Sequence, residues 1–371
     1  MKDKADNLQT EMRKELYTRI IGTGSYLPPV VIKNDYFLNH EFYEPTGKKI
    51  TDKTNEEIIQ KFYEITNIAE RRYVNENQLT SDIAALAVQD ACDSAGIDKE
   101  SLDFIILGHN FGDILPGNVR MDAVPSLANR VKMKLKINNP SCFCHDVISG
   151  CPGWTQGMII ADAYIKSGFA KRGVVVGADV LSRISDPHDR DSMIYADGAG
   201  ATILEAVESE EPTGILCHSS RSDSAQNGSL LTLGSSYHPD FPGNELYIKM
   251  TGHKLYVYAI STVPKVVKES LDKAGLHLTD IKKVFIHQAN EKMDEVILSN
   301  VFKLYGETGN VMDIMPMSIS KLGNSSTATV PTLLDLVVKG KMNGHHVEKG
   351  DYIILCSVGA GMNINSIIYK W

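Results

Sequence analysis

Short apolar runs alternate along this chain with longer segments in which apolar residues recur every three or four positions. The short runs include residues 104–108, 174–177, 283–286 and 352–355, which read F-I-I-L-G, V-V-V-G, K-V-F-I and Y-I-I-L. The longer segments have the spacing of amphipathic helices. Apolar strands that alternate with helical patterns of about ten to fifteen residues are typical of α/β proteins. The pattern therefore predicts mostly parallel sheets covered by helices on both faces.

Part of this pattern occurs twice. Residues 93–108 read D-S-A-G-I-D-K-E-S-L-D-F-I-I-L-G, and residues 272–287 read D-K-A-G-L-H-L-T-D-I-K-K-V-F-I-H. The two copies align at one constant offset, with Gly96 matching Gly275. Each copy has the features of a helix end, a turn and a buried strand. The sequence therefore predicts two duplicated α/β halves.

The boundary between the halves is predicted at a polar segment. Residues 208–213 read E-S-E-E-P-T, which combines charge with a proline and is typical of a linker. We therefore expect an N-terminal extension at residues 1–17, a first half at 18–207 and a second half at 213–371. The strand ends of such halves converge on one crevice, where we expect the functional loops to meet.

Composition limits the function classes. The 371 residues are 43% hydrophobic and 23% charged, which is enough for one large core or two ordinary ones. The net charge of −8 argues against a nucleic-acid-binding protein, whose phosphate-binding surface is basic. No apolar run approaches the ~20 residues that span a bilayer. We therefore expect a globular protein with no membrane span and no nucleic-acid partner.

The six cysteines indicate a reducing compartment. They lie mostly in apolar surroundings, and the densely charged start of the chain does not resemble a signal peptide. Cys142 and Cys144 form a C-x-C pair beside His145, but no second pair occurs at zinc-site spacing. We therefore expect a cytoplasmic protein without a metal site.

One cysteine occupies a turn predicted between an apolar strand and a helix. Residues 146–157 read D-V-I-S-G-C-P-G-W-T-Q-G, and glycines at 150 and 153 permit a tight turn around Cys151. Cys151 then lies near a helix N-terminus, where free N–H groups and the helix dipole stabilise a thiolate. We expect a nucleophile whose pKa lies below the free value of about 8.5. The alternative is one more small buried residue.

Two polar residues occur where a second-half loop is predicted to face the same crevice. His287 ends the apolar strand K-V-F-I, where packing gives no reason for an imidazole. Asn324 lies in L-G-N-S-S-T, just before a predicted helix. Each has an ordinary structural alternative, since His287 could be a hydrogen-bonding residue at a strand end and Asn324 a helix cap.

With Cys151, His287 and Asn324 together, the sequence resembles the thiolase superfamily, and within it the β-ketoacyl-acyl carrier protein synthase III type of condensing enzyme. The resemblance covers nearly the whole chain. The matching strings are I-I-G-T-G-S-Y-L-P at 20–28, I-A-E-R-R at 68–72, G-C-P-G-W at 150–154, D-V-L-S-R-I-S-D-P-H-D-R at 179–190, A-D-G-A-G-A at 196–201, H-Q-A-N at 287–290 and the glycine loop at 357–362. The resemblance implies the thiolase fold, in which the two halves form α-β-α-β-α layers.

The resemblance also implies a two-step reaction. Cys151 accepts an acyl group as a thioester, and backbone N–H groups of Cys151 and Ala360 stabilise the oxyanion. Ala360 stands in a loop that usually has three glycines. Loss of carbon dioxide from malonyl-acyl carrier protein then leaves an enolate, to which His287 and Asn324 donate hydrogen bonds. The product is a β-ketoacyl thioester, and no cofactor is needed beyond acyl-coenzyme A or acyl carrier protein thioesters.

Further site residues follow from the resemblance. Arg183 and Arg190 are expected to contact the phosphate of the substrate. The chain is expected to form a homodimer in which the loop around Val124 reaches the acyl pocket of the neighbouring subunit. Acyl carrier protein is expected to dock on Lys282, Lys283 and Lys292, with the alternative that these lysines form an ordinary solvated face.

Departures from the family concern the substrates. Lys61 and Ile65 replace the tryptophan and arginine that usually hold coenzyme A, so an acyl carrier protein donor is an alternative. Val124 replaces a phenylalanine that caps the acyl pocket, which suggests a medium or long acyl chain. The added stretch at 111–122 could refill that space with Phe111 or Leu115. Another extension, at 41–53, is expected to border the entrance.

Other functions remain open on the sequence alone. One is an acyltransferase that passes the chain from Cys151 to an alcohol or amine. Another is a scaffold subunit without activity, which the retained nucleophile disfavours. A third is a specialised relative that condenses β-ketoacyl thioesters to a resorcinol-type ring.

Overall fold

The first half builds one large sheet and a small two-stranded sheet. The computed structural model describes residues 14–117 and 120–371. In this half the strands are β1 (Glu15–Tyr26), β2 (Val30–Lys33), β3 (Glu70–Tyr73), β4 (Phe104–Gly108), β5 (Phe143–Val147), β6 (Arg172–Val180) and β7 (Asp197–Ser209). The helices are α1 (Asn55–Thr66), α2 (Thr80–Ala95), α3 (Leu127–Lys134) and α4 (Gly153–Lys166).

The second half repeats this plan in a shorter form. Its strands are β8 (Gly214–Ser222), β9 (Leu231–Gly234), β10 (Tyr247–Met250), β11 (Ile281–Ile286), β12 (Tyr352–Gly359) and β13 (Asn363–Lys370). Its helices are α5 (Ser224–Asn227), α6 (Gly252–Ala274), α7 (Glu291–Leu304), α8 (Ile319–Leu322) and α9 (Thr329–Val338).

The internal repeat in the sequence corresponds to a repeat in structure. Helices α2 and α6 both end before a glycine in the left-handed conformation, Gly96 with φ 64° and Gly275 with φ 66°. A glycine adopts this conformation at little cost, which explains why both helices stop there. Each glycine is followed by a short 3₁₀ turn and a buried strand, β4 or β11.

The sheets are mixed, and the expectation of mostly parallel sheets was wrong. The large sheet has the order β1-β7-β6-β4-β5, and the second sheet has the order β11-β12-β13-β8. Strand β4 runs parallel to β5 and β6, and β11 runs parallel to β12, but the other pairings are antiparallel. The reason is that β6–β7 and β12–β13 are joined by loops without the crossover helix that a parallel connection requires.

The layers alternate as the resemblance implies. Along β4, Ile105 faces a core with α2 and α3, whereas Ile106 faces a core with α4 and α9. In β12, Leu355 faces that same central core, and Ile354 faces a third core with α6 and α7. Successive strand residues point to opposite faces, so each sheet is covered on both sides. The α-β-α-β-α arrangement of the thiolase fold is confirmed.

Two boundaries can be placed on this structure. Strand β7 ends at Ser209 and β8 begins at Gly214, so the polar segment at 208–213 starts within the last two residues of β7 and forms the connection to β8. Strand β1 already begins at Glu15, and residues 1–13 of the expected extension lie outside the described residues. Within the described part, no helix is long and apolar enough to cross a membrane.

Candidate active site

Loops from both halves line one cavity of about 940 Å³. Cys151 enters it from the turn between β5 and α4, His287 from the end of β11, and Asn324 from the segment before α9. Parallel strands place their carboxyl ends on one edge, which brings β5 and β11 to this crevice. Residues separated by more than a hundred positions in sequence therefore meet in one cavity, as expected.

Close backbone packing positions Cys151. Gly150 has φ 66°, and a Cβ atom added there would lie 2.4 Å from the backbone nitrogen of Ala360. A Cβ atom added to Gly359 would lie 2.4 Å from the backbone nitrogen of Cys151. Glycine is therefore required at both positions, and the loop at 359–361 packs directly against Cys151.

The expectation of a lowered pKa for Cys151 is not supported. Burial raises the pKa of the Cys151 thiol to about 12, although a hydrogen bond from Ser326 acts in the opposite direction. The following helix α4 begins at Gly153 and has no side-chain cap. Desolvation of the charged form outweighs the stabilisation that a helix N-terminus of about half a unit charge can offer. The thiol is therefore protonated at neutral pH before the substrate arrives.

His287 is a neutral imidazole with one buried ring nitrogen. Its backbone N–H donates to the carbonyl of Cys356 at 2.9 Å, which continues the ladder between β11 and β12. Only 3% of the residue is exposed, and burial lowers its pKa to about 4. Nδ1 is buried and has no partner among the described residues. A proton on Nε2 avoids burying an unpaired N–H group, so this tautomer is favoured.

The residue after His287 holds this loop. The Gln288 side chain donates to the carbonyl of Pro316 at 2.8 Å and accepts from the backbone N–H of Ser318 at 2.9 Å. Both partners are buried or half-buried, which makes the anchor rigid. The Asn290 side chain accepts from the N–H of Met293 at 3.1 Å and so caps helix α7.

Asn324 is held in a way that leaves its amide nitrogen available. Its backbone N–H donates to Ile194 at 3.0 Å, and its carbonyl accepts from Ala196 at 2.9 Å. The side-chain Oδ1 accepts from the N–H of Ser326 at 2.8 Å, at the start of a 3₁₀ turn. The capping role considered for Asn324 was wrong, because Ala328 is the N-cap residue of α9 and the Asn324 oxygen only accepts from the N–H two residues later. The NH₂ group remains free to donate to a substrate.

Ala360 tolerates its position in the glycine loop. It does not have a positive φ, whereas Gly361 has φ 76°. The Ala360 carbonyl accepts from Asn363 Nδ2 at 3.0 Å, and the Gly361 carbonyl accepts from Ser224 Oγ at 2.7 Å. An alanine in an ordinary conformation keeps its N–H group, so the departure from three glycines leaves the backbone donor in place.

Two of the expected substrate contacts line the cavity. Phe111 lies in its wall and packs against a small apolar cluster that includes Leu181 and Ile248. Arg190 also lines the cavity, and its guanidinium lies 3.5 Å from Glu44. Lys53 and Lys61 add further positive charge to the lining. Lys53 ends the extension at 41–53, which is consistent with a place at the entrance.

The other two expected contacts lie elsewhere. The Arg183 guanidinium donates to the backbone carbonyls of Ile114 and Glu76, each at 2.7 Å, and does not line the cavity. These bonds hold the guanidinium against backbone carbonyls outside the cavity lining, so the structure does not support a phosphate contact for Arg183. Val124 is 87% exposed and lies outside the cavity of its own subunit.

The three lysines of the expected docking surface are not equivalent. Lys292 is exposed in the first turn of α7, and Lys282 is half-buried in β11. Lys283 is only 4% exposed, and its ammonium donates to the carbonyl of Asp313 at 2.8 Å. Its assignment to the docking surface was wrong, because alternate residues of a strand face opposite sides of the sheet.

One polar residue in the site was missed. The Ser326 side chain lines the cavity, and its Oγ lies 3.3 Å from Sγ of Cys151. The string L-G-N-S-S-T does not distinguish Ser326 from Ser325, because only the backbone conformation decides which hydroxyl points at the sulfur.

Comparison with known proteins supports the same family for both halves. A family model described as 3-Oxoacyl-[acyl-carrier-protein (ACP)] synthase III matches residues 145–224, and its C-terminal counterpart matches residues 271–371. Beta-ketoacyl-[acyl-carrier-protein] synthase III 1 of Vibrio vulnificus (strain YJ016) is 31% identical over 361 residues, covering 96% of this chain and 100% of the relative. The Salmonella typhi synthase III is 32% identical over 357 residues with the same coverage.

A solved structure extends the likeness to the fold. The crystal structure of 3-oxoacyl-[acyl-carrier-protein] synthase III from Aquifex aeolicus VF5 matches with a TM-score of 0.76 and 29% identity, covering 95% of this chain and 100% of that chain. The match thus spans both halves and the cavity between them. This chain belongs to the 3-oxoacyl-[acyl-carrier-protein] synthase III family and is a condensing enzyme of the acyltransferase type.

Proposed function

We propose that this enzyme joins an acyl group, loaded on Cys151, to malonyl-acyl carrier protein by decarboxylative Claisen condensation, in fatty acid or polyketide-type biosynthesis. The observation that carries the proposal is that Cys151, His287 and Asn324 line one cavity. The experiment that tests it is incubation of the purified enzyme with an acyl thioester and malonyl-acyl carrier protein. Release of carbon dioxide together with a β-ketoacyl thioester is the expected result.

The first half-reaction loads the acyl group. A bond forms between Cys151 Sγ and the acyl carbon, and the bond to the departing thiol breaks. The proton lost by the Cys151 thiol ends on that departing thiol. The backbone N–H groups of Cys151 and Ala360 are the proposed donors to the oxyanion, since the two loops pack directly against each other.

The second half-reaction forms the new carbon–carbon bond. The malonyl carboxylate leaves as carbon dioxide, and the electron pair remains as an enolate. We assign the two donors to the enolate oxygen as His287 Nε2–H and the Asn324 NH₂ group. Burial keeps His287 neutral, so its Nε2–H donates to the enolate oxygen as a neutral hydrogen-bond donor. The enolate carbon then attacks the acyl group, and Cys151 Sγ departs.

The donor is proposed to be a medium or long acyl chain. The cavity of about 940 Å³ has a largely apolar lining, and Val124 does not reach into it from its own subunit. Each additional buried methylene contributes about 0.8 kcal/mol, so kcat/KM is expected to rise with chain length until the wall is reached. The measurement is the acylation rate of Cys151 with donors of two to twelve carbons, on coenzyme A and on carrier protein.

A variant of the cavity wall sharpens this experiment. Phe111→Ala is expected to shift the preferred donor to a longer chain, because Phe111 occupies space in the cavity. Phe169→Ala is a matched control, since Phe169 is largely exposed and does not line the cavity. A preference of the unmodified enzyme for acetyl-coenzyme A would contradict the proposal and indicate an ordinary chain-initiating role.

Acyl carrier protein is proposed to dock beside the start of α7. Lys292 is exposed there, next to Asn290 in the cavity lining. Lys292→Glu is expected to raise KM for carrier-bound substrate by roughly two- to fivefold and to weaken its salt dependence, since one exposed ion pair contributes about 0–1 kcal/mol. Turnover of a small thioester mimic should not change.

The control for docking lies on the same helix. Lys303 is exposed in the last turn of α7, far along the helix from the cavity. Lys303→Glu should leave both substrates unaffected. Equal effects of Lys292→Glu on the carrier-bound substrate and on the small mimic would indicate an active-site defect and contradict a docking role.

A homodimer is proposed because the large sheet ends in an uncovered edge. Among the described strands, β5 pairs only with β4, and a free strand edge is suited to pairing with another chain. Leu115, Met121 and Val124 add exposed apolar surface. Sedimentation at micromolar concentration is expected to give twice the monomer mass, and a monomer would contradict the proposal.

A cytoplasmic location is proposed as well, since none of the six cysteines, all described, forms a disulfide.

A further inference from the structure

The sulfur of Cys151 has a side-chain hydrogen-bonding partner that the two-step mechanism does not use. Ser326 Oγ lies 3.3 Å from Sγ, within the distance expected for a hydrogen bond to sulfur. Among the described residues, Ser326 is the only one whose side chain forms a hydrogen bond with this sulfur. Because the thiol is buried and protonated at rest, any group that stabilises the thiolate bears directly on acyl loading.

The proton of the Ser326 hydroxyl is directed at the sulfur. Asn110 Nδ2 lies 2.9 Å from Ser326 Oγ and 2.8 Å from Asp179 Oδ2. An amide NH₂ group only donates, so Ser326 Oγ accepts from Asn110 and retains its own proton for Cys151. The amide cannot be reversed without placing its oxygen against the carboxylate.

Asp179 anchors this chain of hydrogen bonds. Its Oδ1 accepts from the backbone N–H of Asn110 at 2.9 Å, and its Oδ2 also accepts from Thr327 Oγ1 at 2.9 Å. Burial raises the pKa of Asp179, whereas these hydrogen bonds favour the charged form. The groups of Asn110 and Thr327 that hydrogen-bond to the Asp179 carboxyl group all donate, so this carboxyl group acts as the acceptor.

Ser326 is held in an unfavourable backbone conformation. Its φ is 53°, a value that non-glycine residues rarely adopt and that costs about 1–3 kcal/mol. Neighbouring contacts maintain it, since the Ser326 N–H donates to Asn324 Oδ1 and Thr327 is bound to Asp179. The surrounding structure thus enforces the one conformation in which this hydroxyl reaches Sγ.

We propose that Ser326 is a catalytic residue of the loading step, in which its hydroxyl donates to the developing Cys151 thiolate, and that Asn110 and Asp179 are positioning residues for that hydroxyl. The inference rests on the proposed role of Cys151 as the nucleophile. The proposal divides the hydrogen-bond donors of the site into two sets. Ser326 acts on the sulfur in the first half-reaction, and His287 and Asn324 act on the enolate in the second.

The first test measures the thiolate without any substrate. The rate of Cys151 alkylation by iodoacetamide is followed against pH, with peptide mapping to identify the labelled cysteine. Ser326→Ala is expected to lower the alkylation rate about tenfold at a fixed pH below the midpoint of the Cys151 titration. The reason is that loss of a hydrogen bond to the thiolate changes the pKa of Cys151 by about one unit. An unchanged profile for this variant would overturn the proposal.

Two further variants separate the hydrogen bond from backbone strain and folding. Ser326→Gly also lacks the hydroxyl but suits a positive φ, so it should fold well and show the same loss as Ser326→Ala. Ser325→Ala removes a neighbouring buried hydroxyl, which lies 3.5 Å from Thr329 Oγ1, and should behave as the unmodified enzyme. A normal rate in Ser326→Gly, or an equal loss in Ser325→Ala, would contradict a role for the Ser326 hydroxyl.

The positioning role has its own test. Asn110→Ala removes the amide that donates to Ser326, so no group then directs the hydroxyl proton at the sulfur. This variant should lose alkylation rate as Ser326→Ala does, and the double variant should lose no more than either alone. Additive losses would show that Asn110 does not act through Ser326.

Steady-state measurements distinguish this inference from the proposed function. Ser326→Ala should slow acyl loading while malonyl decarboxylation by the unloaded enzyme persists, because the N–H group that fixes Asn324 belongs to the backbone. Active condensation with an unshifted alkylation profile would overturn only the role of Ser326. A shifted profile in an enzyme without condensation activity would overturn the proposed function and leave the hydrogen bond supported.

Discussion

Cys151→Ala is expected to abolish the covalent acyl adduct completely. Among the described cysteines, Cys151 alone lines the cavity. Alanine has no atom that can attack a thioester. The change removes one atom from a tightly packed turn, so the fold should persist. Intact-mass analysis after incubation with an acyl thioester is the measurement.

The remaining cysteines provide the control for this experiment. Cys144 is half-buried and lies outside the cavity, so Cys144→Ala should still carry one acyl group per chain. Cys356 is fully buried, and burial raises the pKa of its thiol to about 12, so Cys356→Ala should behave in the same way. A stable thioester on Cys151→Ala would rule out the mechanism.

Replacing His287 or Asn324 by alanine is expected to lower malonyl decarboxylation by about 10²-fold or more. Each residue is one of the two proposed donors to the enolate oxygen, and loss of one preorganised donor has an effect of this size. Acyl loading should suffer much less, since both donors act after the thioester has formed. Carbon dioxide release and acyl-adduct formation are measured separately.

A near-isosteric variant tests the role of the amide more sharply. Asn324→Asp keeps an oxygen that can accept from the N–H of Ser326 but loses the NH₂ group. It should therefore retain the local backbone and lose decarboxylation as Asn324→Ala does. Loss of loading with preserved decarboxylation would show that the assigned roles are wrong.

The pH dependence of the second step follows from His287. Burial lowers its pKa to about 4, so the residue stays neutral over the usual assay range. The donor tautomer is then present throughout, and protonation of His287 should affect decarboxylation only as the pH falls towards about 4. The alkylation rate of Cys151, in contrast, should rise with pH through neutrality, because its thiol has a pKa of about 12.

Local sequence was sufficient to identify the three residues that we propose carry the chemistry. Cys151 was found from the glycines around it, which are required because the turn packs against the loop at 359–361. His287 was found because it ends an apolar strand, and Asn324 because it precedes a helix in a run of small polar residues. The duplicated halves were visible because Gly96 and Gly275 end equivalent helices in the same conformation.

The tertiary structure decided which neighbours each of these residues meets. Burial raised the pKa of Cys151 against the influence of its helix, and strand alternation placed Lys283 inside the fold. Arg183 is bound to carbonyls of distant loops, and Ser326 reaches the sulfur only through a strained backbone conformation. Such outcomes depend on contacts between segments far apart in sequence. A local pattern of residue types contains no information about which distant segments come into contact.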